Sequence, residues 1–202
     1  MSSNLIYQFR ITLEDIEPLI WRQIQVPSNY SFWDLHVAIQ DSMGWLDCHL
    51  HEFKIWKADD EKAFRIGFPD PDGFFEVAAG WEVPISDYFT ESGSTVRYSY
   101  DFGDSWDHNV ILEEILTKDP DLKYPRCIAG ERACPPEDCG GVPGYYELLT
   151  ALKSPRSKKG QLSIEWLKGH VKNYHPYKSE HFDPAKVEFW DPAERLRIAL
   201  GE

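Results

Sequence analysis

The sequence predicts an α+β fold: a mixed, mainly antiparallel sheet with a helix after the second strand and a helical C-terminal part. Three observations point there. Segments that alternate with a two-residue period crowd the first half of the chain, and segments with helical spacing crowd the second. No regular strand–helix–strand alternation joins them, which argues against a parallel sheet built from βαβ units. At 202 residues the chain has the length of one domain and can bury a sizeable core without disulfide staples. We therefore expect residues 1–202 to form one domain, with 58–83 a variable excursion and 155–202 a helical C-terminal extension.

The elements follow in order. Residues 5–13, LIYQFRITL, place Leu5, Tyr7, Phe9, Ile11 and Leu13 on one strand face. Residues 19–26, LIWRQIQV, make the second strand, with Glu17-Pro18 marking the turn before it. Ser31 then caps a helix: Asp34 stands three residues on, Phe32, Leu35, Ile39 and Met43 form its apolar stripe, and Gly44 ends it. HLHEFKIWK (49–57) alternates again. Residues 58–83 are acidic and rich in Gly and Pro, with room for a short strand, and PISDYF (84–89) suits one helical turn. TVRYSYD (95–101) and WDHNVILEEI (106–115) flank Phe102-Gly103-Asp104 as the arms of a hairpin. Both alternate faces of the second arm are apolar, which predicts a central strand. GYYELLTAL (144–152), LSIEWLKGHV (162–171) and PAERLRIAL (192–200) carry helical spacing, the last with Pro192 in its first turn.

Net charge is −13 and unevenly spread. Of 21 basic and 34 acidic residues, 10 and 7 lie in 151–202, leaving 11 and 27 in 1–150. Such a surface repels a phosphate backbone, so direct nucleic-acid binding is disfavoured and a basic protein partner is favoured. Lys153, Arg156, Lys158 and Lys159 are the one basic concentration and read as a solvated connection between helices. No apolar run approaches the length of a membrane span, and MSSNLIYQFR lacks the pattern of a secretory signal. The expected location is the cytoplasm, with reduced cysteines.

Three constellations carry candidate chemistry. His49 and His51 share one strand face, where both imidazoles could reach one ion or sit as hydrogen-bonded histidines at the edge of the core. Asp101, Asp104 and His108 surround the hairpin tip, with Trp106 beside them as core or pocket wall. They suit a divalent ion or acid–base work, or Asp side chains that bond the turn amides. The third lies in YPRCIAGERACPPEDCGGVPGY (124–145), where Cys127, Cys134 and Cys139 stand in C-x6-C-x4-C spacing. That is not the C-x2-C knuckle of most structural zinc sites; three thiolates and one histidine would still complete a tetrahedron, with zinc the candidate ion. Otherwise the loop is a rigid, Pro-anchored lead into a helix, with buried thiols acting as small apolar groups. Gly140-Gly141 suits an anion-binding nest, which Glu137 and Asp138 would oppose; these two are expected to cap the loop or pair with Arg126 or Arg132. His170, His175 and His181 read as surface residues.

IWR (20–22), DLHVAIQDSMGW (34–45), HLHEFKI (49–55), YSYDFGDSWDH (98–108) and CIAGERACPPEDCGGVPGYYELL (127–149) together resemble the plasmid pRiA4b open-reading-frame-three-like family. The likeness spans about 130 residues in the family's order and is weakest in 57–83 and beyond about 155. It implies a compact α+β domain of bacterial and archaeal cytoplasm, sometimes encoded on plasmids or near mobile elements. It implies no agreed activity and no catalytic residues. The P-loop, H-E-x-x-H and G-x-S-x-G signatures are absent, and Asp101-Phe102-Gly103 spells a kinase motif by coincidence. The expected function is a non-enzymatic binding or adaptor domain, accessory to a mobile element. The rivals are a metal-dependent enzyme using His49, His51, Asp101, Asp104 and His108, and a structural zinc domain using the cysteines.

Overall fold

Eight strands form one sheet in the order β5-β4-β3-β6-β7-β1-β2-β8. A computed structural model of the chain describes residues 4–56, 62–69 and 76–202. The strands are β1 (Leu5–Leu13), β2 (Ile20–Pro27), β3 (His51–Ile55), β4 (Phe64–Gly67), β5 (Ala78–Ala79), β6 (Thr95–Tyr100), β7 (Trp106–Thr117) and β8 (Arg126–Glu131). Every pairing is antiparallel except β4 with β5. The helices are α1 (Phe32–Met43), α2 (Gly141–Leu152), α3 (Lys158–Gly169) and α4 (Pro192–Leu200).

The alternation decides which face is dry. Tyr7, Phe9, Ile11 and Leu13 of β1 point inward with Ile20, Ile24 and Val26 of β2, Val96, Tyr98 and Tyr100 of β6, and Trp106, Val110 and Leu112 of β7. Across this face lies α1, which contributes Phe32, Leu35, Ile39 and Met43. Its start is a reciprocal cap: Asp34 N–H donates to Ser31 Oγ, and Ser31 N–H donates to Asp34 Oδ2. Gly44, at φ 85°, ends it in the left-handed region. The other sheet face stays polar and open. There the Arg10 guanidinium lies 3.9 Å over Trp21, and Arg97 pairs with Asp107 at 2.8 Å.

The C-terminal part wraps the sheet's β8 end and the back of α1. Phe182 packs on the Arg22 guanidinium at 3.6 Å, and a Cβ on Gly130 would meet the same ring at 2.4 Å. Helix α4 docks on α1 through Arg195, whose guanidinium reaches Asp41 at 2.9 Å and Asp47 at 3.5 Å. Helices α2 and α3 pair with each other beyond the cysteine-bearing loop.

Four segments differ from expectation, among them α3, which begins about one turn before its spacing indicated and takes Lys158 and Lys159 into its first turn. Arg126–Glu131, read as loop, is an edge strand paired with β2, so Cys127 belongs to the sheet. Helix α2 begins about one turn earlier than its spacing indicated, at Gly141. The excursion carries β4, β5 and a 3-10 turn at Gly80–Glu82; its residues 58–61 and 70–75 lie outside the described residues. Strand β7 is central, as its two apolar faces predict, between β6 and β1.

Candidate functional site

The connection Gly44–Leu50, between α1 and β3, supplies side chains to two polar clusters. Asp47 turns back toward α1, and His49 turns outward to the hairpin tip and the cysteine loop.

The inner cluster is sealed. His36 of α1 and His51 of β3 stack with ring centroids 3.4 Å apart and planes 7° from parallel. His36 places Nδ1 2.8 Å from the Tyr98 hydroxyl and Nε2 2.8 Å from Asp47 Oδ1. Gln40 donates to the same Tyr98 hydroxyl at 2.8 Å. Buried His51 has no partner at Nε2, and desolvation followed by the charge of His36 pushes its pKa well below the usual imidazole range. His36, Asp47 and His51 each bring a ligand atom within 4.8 Å of the others. Stacked rings aim their in-plane lone pairs along parallel lines, so the two imidazoles cannot converge on one ion without turning. We read this cluster as structural.

The outer cluster sits where three separate segments meet. His49 Nε2 lies 3.0 Å from Asp138 Oδ1, of the cysteine loop, and 3.6 Å from Asp101 Oδ2, at the end of β6. The other Asp138 oxygen is 4.0 Å from His170 Nε2, which follows α3. Asp101 Oδ1 accepts from the Gly103 and Asp104 amides at 2.9 and 3.2 Å, fixing the hairpin turn and leaving Oδ2 toward His49. Tyr100 packs edge-on against the His49 ring. Behind them Glu137 is fully buried; it accepts from Leu46 N–H at 2.6 Å and Tyr100 O–H at 3.1 Å, and desolvation raises its pKa.

The residues singled out from the sequence therefore part company. His49 and Asp101 come together. Asp104 joins them indirectly, its Oδ2 accepting from Gly140 N–H at 3.1 Å and so tying hairpin to loop. That same bond places a carboxylate at the glycine pair read as an anion nest. His51 lies in the inner stack, and Trp106 and His108 are wholly buried in the core. Burial lowers His108 to about 4. Arg132 pairs with Glu180 at 2.8 Å rather than with Glu137 or Asp138. His36, Asp47, Asp138 and His170 had no spacing signal, because each reaches its cluster from a different element.

The thiols read either as a zinc set or as small apolar groups occupy three different settings. Cys127 lies in β8 and Cys134 in the core, while Cys139 leads into α2. Among the described residues, the three do not form a group of ligand atoms within 4.8 Å. Burial raises the pKa of every cysteine thiol, that of Cys139 to about 12.

Cys139 and Asp138 open onto a groove of about 880 Å3 between α2 and α3, lined also by Pro143, Tyr146, Leu148, Leu162 and Trp166. Leu162 is 56% exposed and Trp166 36%.

Fold and site together define an α+β protein with one open-faced sheet and a helical annex, whose exposed polar cluster stands at the mouth of an interhelical groove. The chain belongs to the family described as plasmid pRiA4b ORF-3-like protein, whose profile matches residues 5–188. The match runs well past residue 155, so it takes in α3, which had looked divergent. The chain is similar to the uncharacterized protein y4hQ of Sinorhizobium fredii (strain NBRC 101917 / NGR234), with 29% identity over 162 residues, 80% of each chain. It is also similar to the crystal structure of a protein of unknown function, MM3350, from Methanosarcina mazei Go1. There the identity is 38%, the TM-score 0.79, and the coverage 92% of this chain and 98% of the other. Among the described residues no helix is long and apolar enough to cross a membrane.

Proposed function

We propose that the chain is a non-enzymatic binding domain of the cytoplasm that takes a basic, partly apolar polypeptide segment into the groove between α2 and α3. The observation that carries this reading is the groove's composition: an apolar floor of Leu148, Leu162 and Trp166 opening at an acidic mouth, with Asp138 and Glu147 on its rim. Apolar side chains left unpaired on two neighbouring helices favour a partner that covers them, and the carboxylates set its charge. Lys159 stands in the same lining beyond the mouth, so the basic end of the segment faces Asp138.

The overall charge of −13 steers basic partners toward the protein and repels nucleic acid. The raised thiol pKa values and the sealing of His51 and His108 speak against an enzyme built on these groups. The family's description names a plasmid reading frame, and we extend this to an adaptor role accessory to plasmid or mobile-element biology.

Fluorescence anisotropy with labelled Lys-rich amphipathic peptides tests the proposal. Binding is expected to weaken at least about tenfold on Leu162→Asp, and to weaken again between low and physiological salt. Binding that ignores both changes would reject the groove.

A further inference from the structure

The groove mouth has a second property, which stands whatever occupies the groove. We propose that His49, Asp101 and Asp138 bind one divalent transition-metal ion such as Zn2+.

Geometry is the first support. Ligand atoms around an ion with bonds of about 2.1 Å stand about 3.0 Å apart in an octahedron and about 3.4 Å apart in a tetrahedron. His49 Nε2 stands 3.0 Å from Asp138 Oδ1 and 3.6 Å from Asp101 Oδ2, and the three ligand atoms all fall within 4.8 Å of one another. One ion therefore fits among them with small adjustments of the side chains. His170 Nε2 lies 4.0 Å from the other Asp138 oxygen, Oδ2, outside this group of three, and its Nδ1 accepts the Lys172 amide.

The second support is the way the donors are held. Asp101 spends Oδ1 on two turn amides and keeps Oδ2 for the centre. The ring of Tyr100 packs edge-on against that of His49. Such outer contacts aim the ligands before any ion arrives.

Charge is the third. Asp101 and Asp138 find only imidazoles as ion-pair partners among the described residues, and buried Glu137 lies directly behind His49. A cation removes this concentration of negative charge. Nitrogen and oxygen donors without a thiolate suit zinc, manganese or iron(II), and Asp138, with its side chain 57% exposed, leaves the centre open to solvent. The thiol of Cys48 groups with His49 and Glu137 rather than with the two aspartates.

The test is calorimetric titration of ZnCl2 into full-length protein purified without an affinity metal column. One ion per chain is expected. His49→Ala and Asp138→Asn should each weaken binding more than about 100-fold, whereas Cys134→Ser should leave it unchanged. Asp101→Asn keeps an acceptor for the turn amides and should also lose the ion. Circular dichroism confirms that each variant is folded. X-ray absorption should report nitrogen and oxygen neighbours only. No saturable binding, unchanged affinity in the His49 and Asp138 variants, or sulfur in the zinc shell would each overturn the assignment. None of these results depends on peptide capture in the groove.

Discussion

His36 and His51 lie face to face at 3.4 Å in the interior, one saturated with hydrogen bonds and the other missing one. The asymmetry assigns them different jobs. His36 ties α1 to β6 through Tyr98, and to the α1–β3 connection through Asp47, which also holds Arg195 of α4. His51 supplies a flat surface.

Replacing His36 by Ala takes one of two partners from the Tyr98 hydroxyl, which keeps Gln40, and from Asp47, which keeps Arg195, and it opens a cavity, so unfolding in urea should show a loss of about 3 kcal/mol. His51→Phe keeps the stack and removes the unpaired nitrogen. Its stability should match or exceed that of the parent. A large loss in His51→Phe would mean that His51 Nε2 has a partner.

His108 makes the fold sensitive to acid. Burial holds its folded pKa at about 4, below the ordinary value of 6.5, so the unfolded chain takes up the proton first as pH falls. Stability is unaffected above the unfolded pKa and falls between about 6.5 and 4, by about 3 kcal/mol for this group. His51, also lowered, adds to the loss. Glu137 acts in the opposite sense, because its raised pKa lets the folded protein bind a proton before the unfolded chain does. Thermal unfolding across this range should show a shallower pH dependence in His108→Phe than in the parent.

The glycines before and within α2 are held by close approach. A Cβ on Gly144 would stand 1.9 Å from the Cys139 carbonyl oxygen, and one on Gly141, at φ 66°, would stand 2.6 Å from the Asp104 carbonyl oxygen. Gly144→Ala should cost about 2–3 kcal/mol or more in chemical denaturation. Gly141→Ala should in addition part the hairpin from the loop. That separation should weaken zinc binding even where the protein stays folded, because Asp101 and Asp138 then no longer share His49.

Zinc and a basic segment should oppose each other. The ion neutralises Asp138 at the mouth that the segment's cations approach, so saturating zinc should raise the peptide's Kd. Linkage requires the peptide to raise the Kd of zinc by the same factor. Paired titrations check this equality.

Much of the fold was readable because its signals are local. Alternation in β1 and β6, the Ser31–Asp34 cap and Gly44 each announce an element within a few residues. Strand β8 escaped because an edge strand under Phe182 is half-buried along most of its length, so RCIAGE shows no alternation of burial. The outer cluster was half legible. His49 and Asp101 stood out as candidates, but Asp138 lies 89 residues beyond His49, and His170 is further still along the chain, a distance that no spacing rule spans. The cysteines left two readings open because spacing alone does not say whether sulfurs converge; among the described residues the three form no single ligand group, and Cys127 sits in the sheet.

The claim that the α2–α3 groove is the binding surface is tested most directly by an amide NMR titration with an unlabelled Lys-rich amphipathic peptide. The account predicts shifts concentrated in 138–169, centred on Leu148, Leu162 and Trp166, and lost in Leu162→Asp. Shifts confined instead to the open sheet face, around Arg10, Trp21 and Arg97, would contradict it.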